Sequence, residues 1–222
     1  MILGICGAGG SGREILELAK IINKDKQYWD QILFVEKQNF MNKTDDNLKG
    51  ITISSFKELI QNNKPDQIEF IVSVGEPQLR KKIATEILET GYHLATLIHP
   101  NVHIPESTKI GDGVIISCNA FISCNVVIED NVMIQPSVVI GHDAQIGKNT
   151  IISANSSIAG GAFVGENTYI ALNVCVREQT RIGNNVIVSA GSAVLKDIVD
   201  EVIAQGNPAR PLLNRDNSNV FR

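Results

Sequence analysis

Between Ile104 and Val194 an isoleucine or valine recurs at every sixth residue without a break in register. An α-helix buries side chains with a period of about 3.6 residues and a two-sided strand with a period of about 2, so neither produces this spacing. A parallel β-helix built from short repeats does produce it. The period therefore predicts a solenoid for the second half of the chain.

The other positions of the hexad favour the same architecture. Four positions after each repeat residue stands a small or β-branched residue, which suits a narrow interior lined by strands. Three positions after it the chain usually has Asn, Gly or Asp, the types that adopt left-handed backbone most readily. Such corner residues include Gly113, Asn119, Asn125, Asn131, Asp143, Asn149, Asn155, Gly161, Asn167, Asn173, Asn185 and Gly191.

This repeat resembles that of the hexapeptide acyltransferases, in which three hexads form one coil of a left-handed β-helix. The hand is an exception to the right-handed crossover rule. With 18 residues in a coil, positions 106, 124, 142, 160, 178 and 196 stack along one edge, about 4.8 Å apart. A β-solenoid without catalytic activity is the alternative.

Before the repeat, alternating strand and helix patterns predict a small α/β domain. We expect a Rossmann-like domain over residues 1–97 and a β-helix domain with a C-terminal tail over 98–222. The expected strands are 1–6, 31–36, 51–53, 67–74 and 94–98. The expected helices are 13–22, 56–61 and one that starts at Pro77 and stops before Gly91.

A glycine-rich turn, expected over residues 7–12, separates the first strand from the first helix. Gly7, Gly9 and Gly12 form a GxGxxG motif, in which amides at a helix N-terminus can hold a phosphate. Glu36 closes the second strand at about the distance of a ribose-binding acid. NAD is one alternative ligand, although the segment has about half the length of a dinucleotide domain. A turn that serves only helix packing is another.

Five segments in order resemble one family: residues 7–15 (GAGGSGREI), the strand before Gly75, 98–104 (IHPNVHI), 141–147 (GHDAQIG) and 206–212 (GNPARPL). They are similar to nucleotide-sugar acetyltransferases, the group of the bacillosamine-pathway 4-amino-sugar N-acetyltransferase and the sialic acid O-acetyltransferases. The resemblance implies that the first domain holds a nucleotide sugar and the β-helix holds acetyl-CoA. It also implies a homotrimer with active sites between neighbouring β-helices.

By the same resemblance His142 is the general base and Asp143 orients or polarises its imidazole. His142 also stands directly before a corner residue, where side chains should project outward. A solvated turn residue is the alternative for His142, and Asp at position 143 also suits the corner backbone. Gly160 lies one coil above His142 and leaves a bare amide for the thioester oxygen.

Two basic residues are candidates for the CoA phosphates. Lys196 stands three coils beyond His142, roughly 14 Å away, although a solvated corner lysine is the alternative. Arg210, just after the last coil, is assigned by resemblance alone. The resemblance also places the nucleotide sugar on a larger set of residues: Gly7, Gly9, Gly10, Ser11, Gly12, Glu36 and Gly75.

Some positions depart from the family pattern. The family often has His where this chain has Ser11, and a histidine that assists acetyl binding in some members aligns with Ile151. The resemblance favours a UDP-linked 4-amino-4,6-dideoxy sugar as acceptor. O-acetylation of a sugar and a non-catalytic nucleotide-binding scaffold remain alternatives.

The composition of the chain excludes some classes of function. A net charge of −4 without a Lys/Arg cluster argues against nucleic acid as a partner. No apolar run is long enough to span a membrane, and the start does not read as a signal peptide. The four cysteines do not have the spacing of zinc ligands. A γ-class carbonic anhydrase uses the same solenoid but needs three histidines to bind zinc, and the repeat has two. We expect a cytoplasmic enzyme that uses acetyl-CoA and no metal.

Overall fold

The computed structural model describes residues 1–36, 47–48, 51–215 and 220. The end of the predicted second domain, 216–219 and 221–222, lies outside the described residues. The first part of the chain contains β1 (Ile2–Cys6), α1 (Gly10–Lys26), β2 (Gln31–Glu36), β3 (Asn47–Leu48), β4 (Ile51–Ser55), α2 (Phe56–Asn62), β5 (Ile68–Val72), α3 (Pro77–Glu89) and β6 (His93–Leu94).

These described elements build a six-stranded sheet in the order β3-β4-β2-β1-β5-β6. The pairing of β3 with β4 is antiparallel and the remaining pairings are parallel. Parallel pairing with intervening helices confirms the predicted α/β domain.

The expected turn over residues 7–12 is wrong in its second half, because α1 begins at Gly10. Gly12 lies so close to the carbonyl oxygen of Gly7 that a Cβ at this position would overlap it. The glycine therefore lets the first helical turn pack directly on the strand end. The helix also runs beyond the predicted end at residue 22, to Lys26, and stops where Gln27 takes a left-handed conformation (φ 48°).

The expected strand 94–98 is two short strands instead of one. The first, β6, pairs with β5 in the N-terminal sheet, whereas the second, β7 (Leu97–Ile98), pairs with Ile115–Ile116 of the β-helix. The chain thus passes from one sheet to another within a few residues, and this change of partner divides the strand. The domain boundary at 97/98 stays a prediction.

The fully described residues 97–194 form strands of two residues each. After β7 come β8 (Lys109–Ile110), β9 (Ile115–Ile116), β10 (Phe121–Ile122), β11 (Val127–Ile128), β12 (Met133–Ile134), β13 (Val139–Ile140), β14 (Gln145–Ile146), β15 (Ile151–Ile152), β16 (Ser157–Ile158), β17 (Phe163–Val164), β18 (Tyr169–Ile170), β19 (Cys175–Val176), β20 (Arg181–Ile182), β21 (Ile187–Val188) and β22 (Ala193–Val194). Each pairs with the strand 18 residues away, as in Met133 with Ile151. The result is the left-handed parallel β-helix that the repeat predicts.

The β-helix has three faces, and their outward side chains differ. One, the domain face, is apolar and packs with the core of the N-terminal domain: Ile115, Met133, Ile151, Tyr169 and Ile187. The second, the polar face, carries Lys109, Val127, Gln145, Phe163 and Arg181. The third, the open face, carries no charge: Phe121, Val139, Ser157, Cys175 and Ala193.

All twelve predicted corner residues adopt left-handed φ values: Gly113, Asn119, Asn125, Asn131, Asp143, Asn149, Asn155, Gly161, Asn167, Asn173, Asn185 and Gly191. Ser137 and Gln179 occupy the same corner position and adopt this backbone too, although their residue types do not favour it. The Ile and Val side chains of the repeat point inward and form a continuous buried core with residues such as Ile134, Ile152 and Ile170. After the last coil, β23 (Val202–Gly206) and β24 (Ala209–Asn214) form an antiparallel hairpin.

A buried arginine joins the two parts of the chain. Arg80 of α3 is 0% exposed, and its guanidinium donates to the carbonyl of Val72 at 2.6 Å and to both the carbonyl and Oδ1 of Asn131 at 2.9 Å. Burial lowers the pKa of Arg80 to about 9. The side chain still carries its charge at neutral pH and ties the end of β5 to a β-helix corner.

The C-terminal segment makes a further contact at this junction. Glu76 accepts from Arg215 Nη2 at 3.2 Å and from the backbone N–H of Val220 at 2.6 Å. No helix in the described part of the chain is long and apolar enough to cross a membrane.

Candidate active site

His142 and Asp143 occupy a corner of the β-helix directly after β13. His142 Nδ1 lies 2.7 Å from Asp143 Oδ2, and the two side chains are 66% and 56% exposed. The corner conformation of Asp143 (φ 61°) turns its carboxylate back toward the preceding imidazole. The predicted pair is thus in direct contact, on a part of the surface that a substrate can reach.

Two hydrogen bonds hold the carboxylate of Asp143 ionised. The bond to His142, and secondly a bond from Asn125 Nδ2 at 3.1 Å, lower the pKa of Asp143 below its ordinary value. An ionised carboxylate accepts hydrogen bonds and donates none. Asp143 therefore favours an imidazole whose proton is on Nδ1 and whose Nε2 is free to accept another.

Gly160 lies against the imidazole of His142, one coil further along the same edge. A Cβ at position 160 would lie 2.6 Å from His142 Nε2 and 2.7 Å from Cε1, so the ring packs directly on the glycine. Gly161 N–H donates to the carbonyl of His142, and the Gly160 carbonyl accepts from Gln179 N–H. The N–H of Gly160 itself finds no acceptor within the part of the chain that the structure describes.

Gly141 helps to keep that amide accessible. A Cβ at position 141 would lie 2.6 Å from the Gly160 nitrogen and would cover it. The glycine of the GHD sequence thus exposes the donor, and the histidine that follows lies beside it. The corner combines a proton acceptor with a backbone N–H that suits a developing oxyanion.

A cleft of about 520 Å³ opens in the N-terminal domain beside the glycine-rich turn. It is lined by Cys6, Gly7, Gly9, Val35, Glu36, Phe56, Val74, Leu79, Ile83, Glu86 and Ile87. Glu36 Oε1 accepts from the N–H of Ala8 at 2.6 Å, which fixes the carboxylate at the mouth of the turn. Burial, and then the charge of Glu36, raise the pKa of the Cys6 thiol, so this wall of the cleft is a neutral thiol.

A second cleft, of about 610 Å³, lies between α1 and the β-helix. Its lining includes Gly10, Ser11 and Arg13 from the helix start, and Cys118 and Gln135 from the β-helix. The residues that resemblance assigns to the nucleotide sugar therefore divide between two clefts. Gly7, Gly9 and Glu36 line the first, and Gly10 and Ser11 the second.

Two of the assigned glycines line neither cleft. Gly12 is buried in the close packing described above, and Gly75 is half-buried between Val74 of the first cleft and Glu76 of the domain junction. The N-terminus of α1, which has no side-chain cap, lies between the clefts. A ligand that spans both would pass its phosphates across these helix amides.

The basic candidates lie at the C-terminal end of the β-helix. Lys196 is exposed directly after β22, and the strand β24, which carries Arg210, contacts β22. Arg210 is exposed as well, and its Nη1 donates to the carbonyl of Ala209 at 3.2 Å. Both side chains remain accessible to an anionic ligand.

Three residues at the His142 corner and in the first cleft were not predicted from the sequence. Asn125 holds Asp143, and its signal was available because it stands 18 residues before the aspartate, one coil below. Phe56 and Glu86 enter the first cleft from two different helices. No spacing in the sequence marked either of them.

Comparison with known proteins agrees with both halves of this architecture. Residues 3–87 match the family model of the PglD N-terminal domain, and residues 125–160 match that of the bacterial transferase hexapeptide (six repeats). The two matches make the chain similar to hexapeptide-repeat transferases in its second half and to the PglD N-terminal domain in its first.

Individual proteins are similar to the chain over larger parts of its length. The acetyltransferase domain of PglB from Neisseria gonorrhoeae FA1090, in complex with acetyl coenzyme A, is 28% identical and has a TM-score of 0.87, over 95% of this chain and 98% of that chain. GDP-perosamine N-acetyltransferase of Escherichia coli O157:H7 is 30% identical over 120 residues, 52% of this chain. The matched region spans 51% of that relative, about half its length. Perosamine N-acetyltransferase from Caulobacter crescentus, 24% identical with a TM-score of 0.86 over 96% of this chain and 98% of that one, shares the fold.

Proposed function

We propose that the protein transfers the acetyl group of acetyl-CoA to the amino group of a nucleotide-linked 4-amino-4,6-dideoxy sugar, with His142 as general base. The observation that carries the proposal is the corner at which His142 Nδ1 contacts Asp143 at 2.7 Å while the imidazole packs on Gly160. The relative named GDP-perosamine N-acetyltransferase and the PglB acetyltransferase domain in complex with acetyl coenzyme A support the same reaction.

The chemistry is a direct transfer. His142 Nε2 accepts a proton from the acceptor amine as the nitrogen attacks the thioester carbonyl, and Gly160 N–H stabilises the negative oxygen of the tetrahedral intermediate. The C–S bond then breaks, and the CoA thiolate takes the proton from the imidazolium. A positioned base contributes about 10²- to 10⁴-fold, and one oxyanion donor about 10²- to 10³-fold.

The two clefts suit the two ends of a nucleotide sugar. The apolar first cleft, with Phe56 and the carboxylate of Glu36, fits a nucleobase and a ribose hydroxyl. The amides at the start of α1, with Gly10 and Ser11, fit the diphosphate. The second cleft then receives the amino sugar. Its β-helix residues lie at the edge between the domain face and the open face, whereas His142 lies at the edge between the open face and the polar face, so the imidazole that meets the amine would come from a neighbouring copy.

Lys196 and Arg210 are the residues that we assign to the CoA phosphates. In the stack of corners Lys196 stands three coils beyond His142, roughly 14 Å away, so the pantetheine arm would run along the edge between them. Arginine and lysine both bind phosphate oxygens by charge-assisted hydrogen bonds.

A homotrimer would complete the site. The open face is uncharged, its Phe121 and Val139 side chains are 59% and 41% exposed, and the strand that carries Val139 leads directly into the His142 corner. A second copy on this face would cover the apolar side chains and enclose the imidazole. Light scattering should give three times the monomer mass, and Val139→Glu should lower that mass.

The function is tested with a panel of GDP-, UDP- and dTDP-linked 4-amino-4,6-dideoxy sugars, together with sugars that offer a hydroxyl instead. Free thiol is measured alongside the acetylated product by mass spectrometry. His142→Ala should lose at least about 10²-fold in turnover while it retains CoA affinity.

His103→Ala is the matched control, since His103 is the other histidine of the repeat and is also exposed. Wild-type turnover in His142→Ala would refute the assignment of the base. Release of thiol only with hydroxyl acceptors would replace N-acetylation by O-acetylation. Nucleotide binding without thiol release from any acceptor would favour a scaffold.

A further inference from the structure

Asn125 stands at the corner one coil below Asp143. Its Nδ2 donates to Asp143 Oδ1 at 3.1 Å, while Oδ2 of the same carboxylate lies 2.7 Å from His142 Nδ1. The backbone N–H of Asn125 donates in turn to Ser107 Oγ at 3.0 Å, another coil down. Three successive coils thus form one chain of hydrogen bonds that ends at the imidazole.

A second stack of corner side chains shows what is special about this one. Beneath the N-terminal domain, Asn131 donates to Asn149, and Asn149 donates to Asn167, at 2.9 and 3.1 Å. Each amide there passes one hydrogen bond to the next coil. In the stack of Asn125 the next coil after Asp143 has Gly161, which has no side chain to accept or donate.

The break at Gly161 leaves the second carboxylate oxygen for His142. A carboxylate has two acceptor oxygens and no donor, so Asp143 can hold Asn125 with one oxygen and the imidazole with the other. Both Asp143 and His142 are more than half exposed, so water competes for each of these bonds. A carboxylate fixed at one oxygen only would rotate and lose its alignment with Nδ1.

We propose that Asn125 is a positioning residue that fixes the carboxylate plane of Asp143. The imidazole of His142 then keeps its proton on Nδ1 and presents an unprotonated Nε2. The consequence for catalysis rests on the proposed acetyl transfer, whereas the consequence for the imidazole does not. One net hydrogen bond of this kind corresponds to about a 3- to 10-fold effect on a rate.

Asn125→Gly tests the role with little disturbance of the backbone. Asn125 has a φ of 57°, which glycine adopts freely, and its N–H remains able to donate to Ser107. Asn119→Gly is the matched control, since Asn119 is an exposed corner residue with a φ of 60° and makes no side-chain hydrogen bond to the described residues.

The first measurement needs no substrate. The ¹⁵N chemical shifts of the His142 imidazole report which nitrogen carries the proton. We expect the Nδ1–H form in the wild type and in Asn119→Gly. In Asn125→Gly the shifts should move toward the Nε2–H form.

The second measurement is kinetic. Asn125→Gly should lower kcat by about 3- to 10-fold, with an unchanged Tm and a KM for acetyl-CoA within about twofold of the wild type. Asn125→Asp keeps the size of the side chain but places a second carboxylate against Asp143, so it should lose at least as much.

Unchanged imidazole shifts in Asn125→Gly would overturn the proposal, and so would altered shifts with an unchanged kcat. A loss of activity accompanied by an equal loss in Asn119→Gly, or by a lower Tm, would assign Asn125 a merely structural role. Altered shifts in a protein that acetylates no acceptor would leave the positioning role supported and refute the proposed function.

Discussion

Replacement of Gly160 by alanine should remove activity and leave the fold intact. The new Cβ would lie 2.6 Å from His142 Nε2 and 2.7 Å from Cε1. An ordinary contact between such atoms is about 3.5 Å, so the ring must move by about 1 Å. The ring is exposed and free to move, and Gly160 does not have the left-handed φ that would strain an alanine.

The expected cost therefore falls on catalysis. A misplacement of about 1 Å in a catalytic group lowers the rate by about 10²-fold, or about 2.7 kcal/mol of barrier. The free energy of unfolding should change by less than about 0.5 kcal/mol. The Gly160 N–H is retained in the alanine variant, so the loss reports the position of the imidazole and not the absence of an oxyanion donor.

The assay compares kcat, KM for acetyl-CoA and Tm for the wild type, Gly160→Ala and Glu166→Ala. Glu166 occupies the same corner position on another edge of the β-helix and is exposed, so its truncation should have no effect. Wild-type turnover in Gly160→Ala would refute the reasoning. A fall in Tm that parallels the fall in activity would show that the methyl group disturbs the coil and not the imidazole.

Three further outcomes follow from the structure. Arg80→Met leaves Asn131 Oδ1 and the Val72 carbonyl without their buried donor, and should lower the free energy of unfolding in urea by about 3–5 kcal/mol. Lys81→Met, at an exposed position, should leave that free energy unchanged. A wild-type urea midpoint in Arg80→Met would contradict the role of the arginine. Gly12→Ala should weaken nucleotide binding at least about 10-fold and lower the free energy of unfolding by about 1–3 kcal/mol, because its methyl group overlaps the Gly7 carbonyl. Gly9→Ala is the control and should fold normally, because the space around Gly9 is open. The ¹³C carboxyl signal of Asp143 should report a pKa below the ordinary value of about 3.9, and this pKa should rise in His142→Ala, because the His142 and Asn125 hydrogen bonds lower it. The stability that the His142–Asp143 pair contributes is present above that range and is lost as the pH falls. An ordinary titration midpoint for Asp143 in the wild type would contradict this prediction.

The sequence carried enough information for the β-helix and for the corner that holds His142, because the repeat is strictly periodic. Once a coil is 18 residues, simple addition places Gly160 over His142, and the structure has the two in contact. The same addition would have placed Asn125 under Asp143. Asn recurs at this position because it tolerates the corner backbone, so the residue type alone does not indicate a bond to Asp143.

Features that depend on contacts between distant segments were not predictable in this way. Arg80 lies on a helix that reads as amphipathic, and nothing local indicates that its guanidinium is buried against a β-helix corner. The start of α1 at Gly10 was also missed. It depends on the close approach of Gly12 to Gly7, which a glycine-rich sequence permits without requiring.

The hairpin after the last coil has a consequence for self-association. A stack of parallel strands offers its final strand as a template for another molecule, and end-to-end addition would produce a fibre. Here β24 runs against the direction of β23 and carries Pro211, which has no N–H to donate. Within the described residues, the sheet of the domain face therefore ends in an antiparallel strand, which offers no template for another parallel rung.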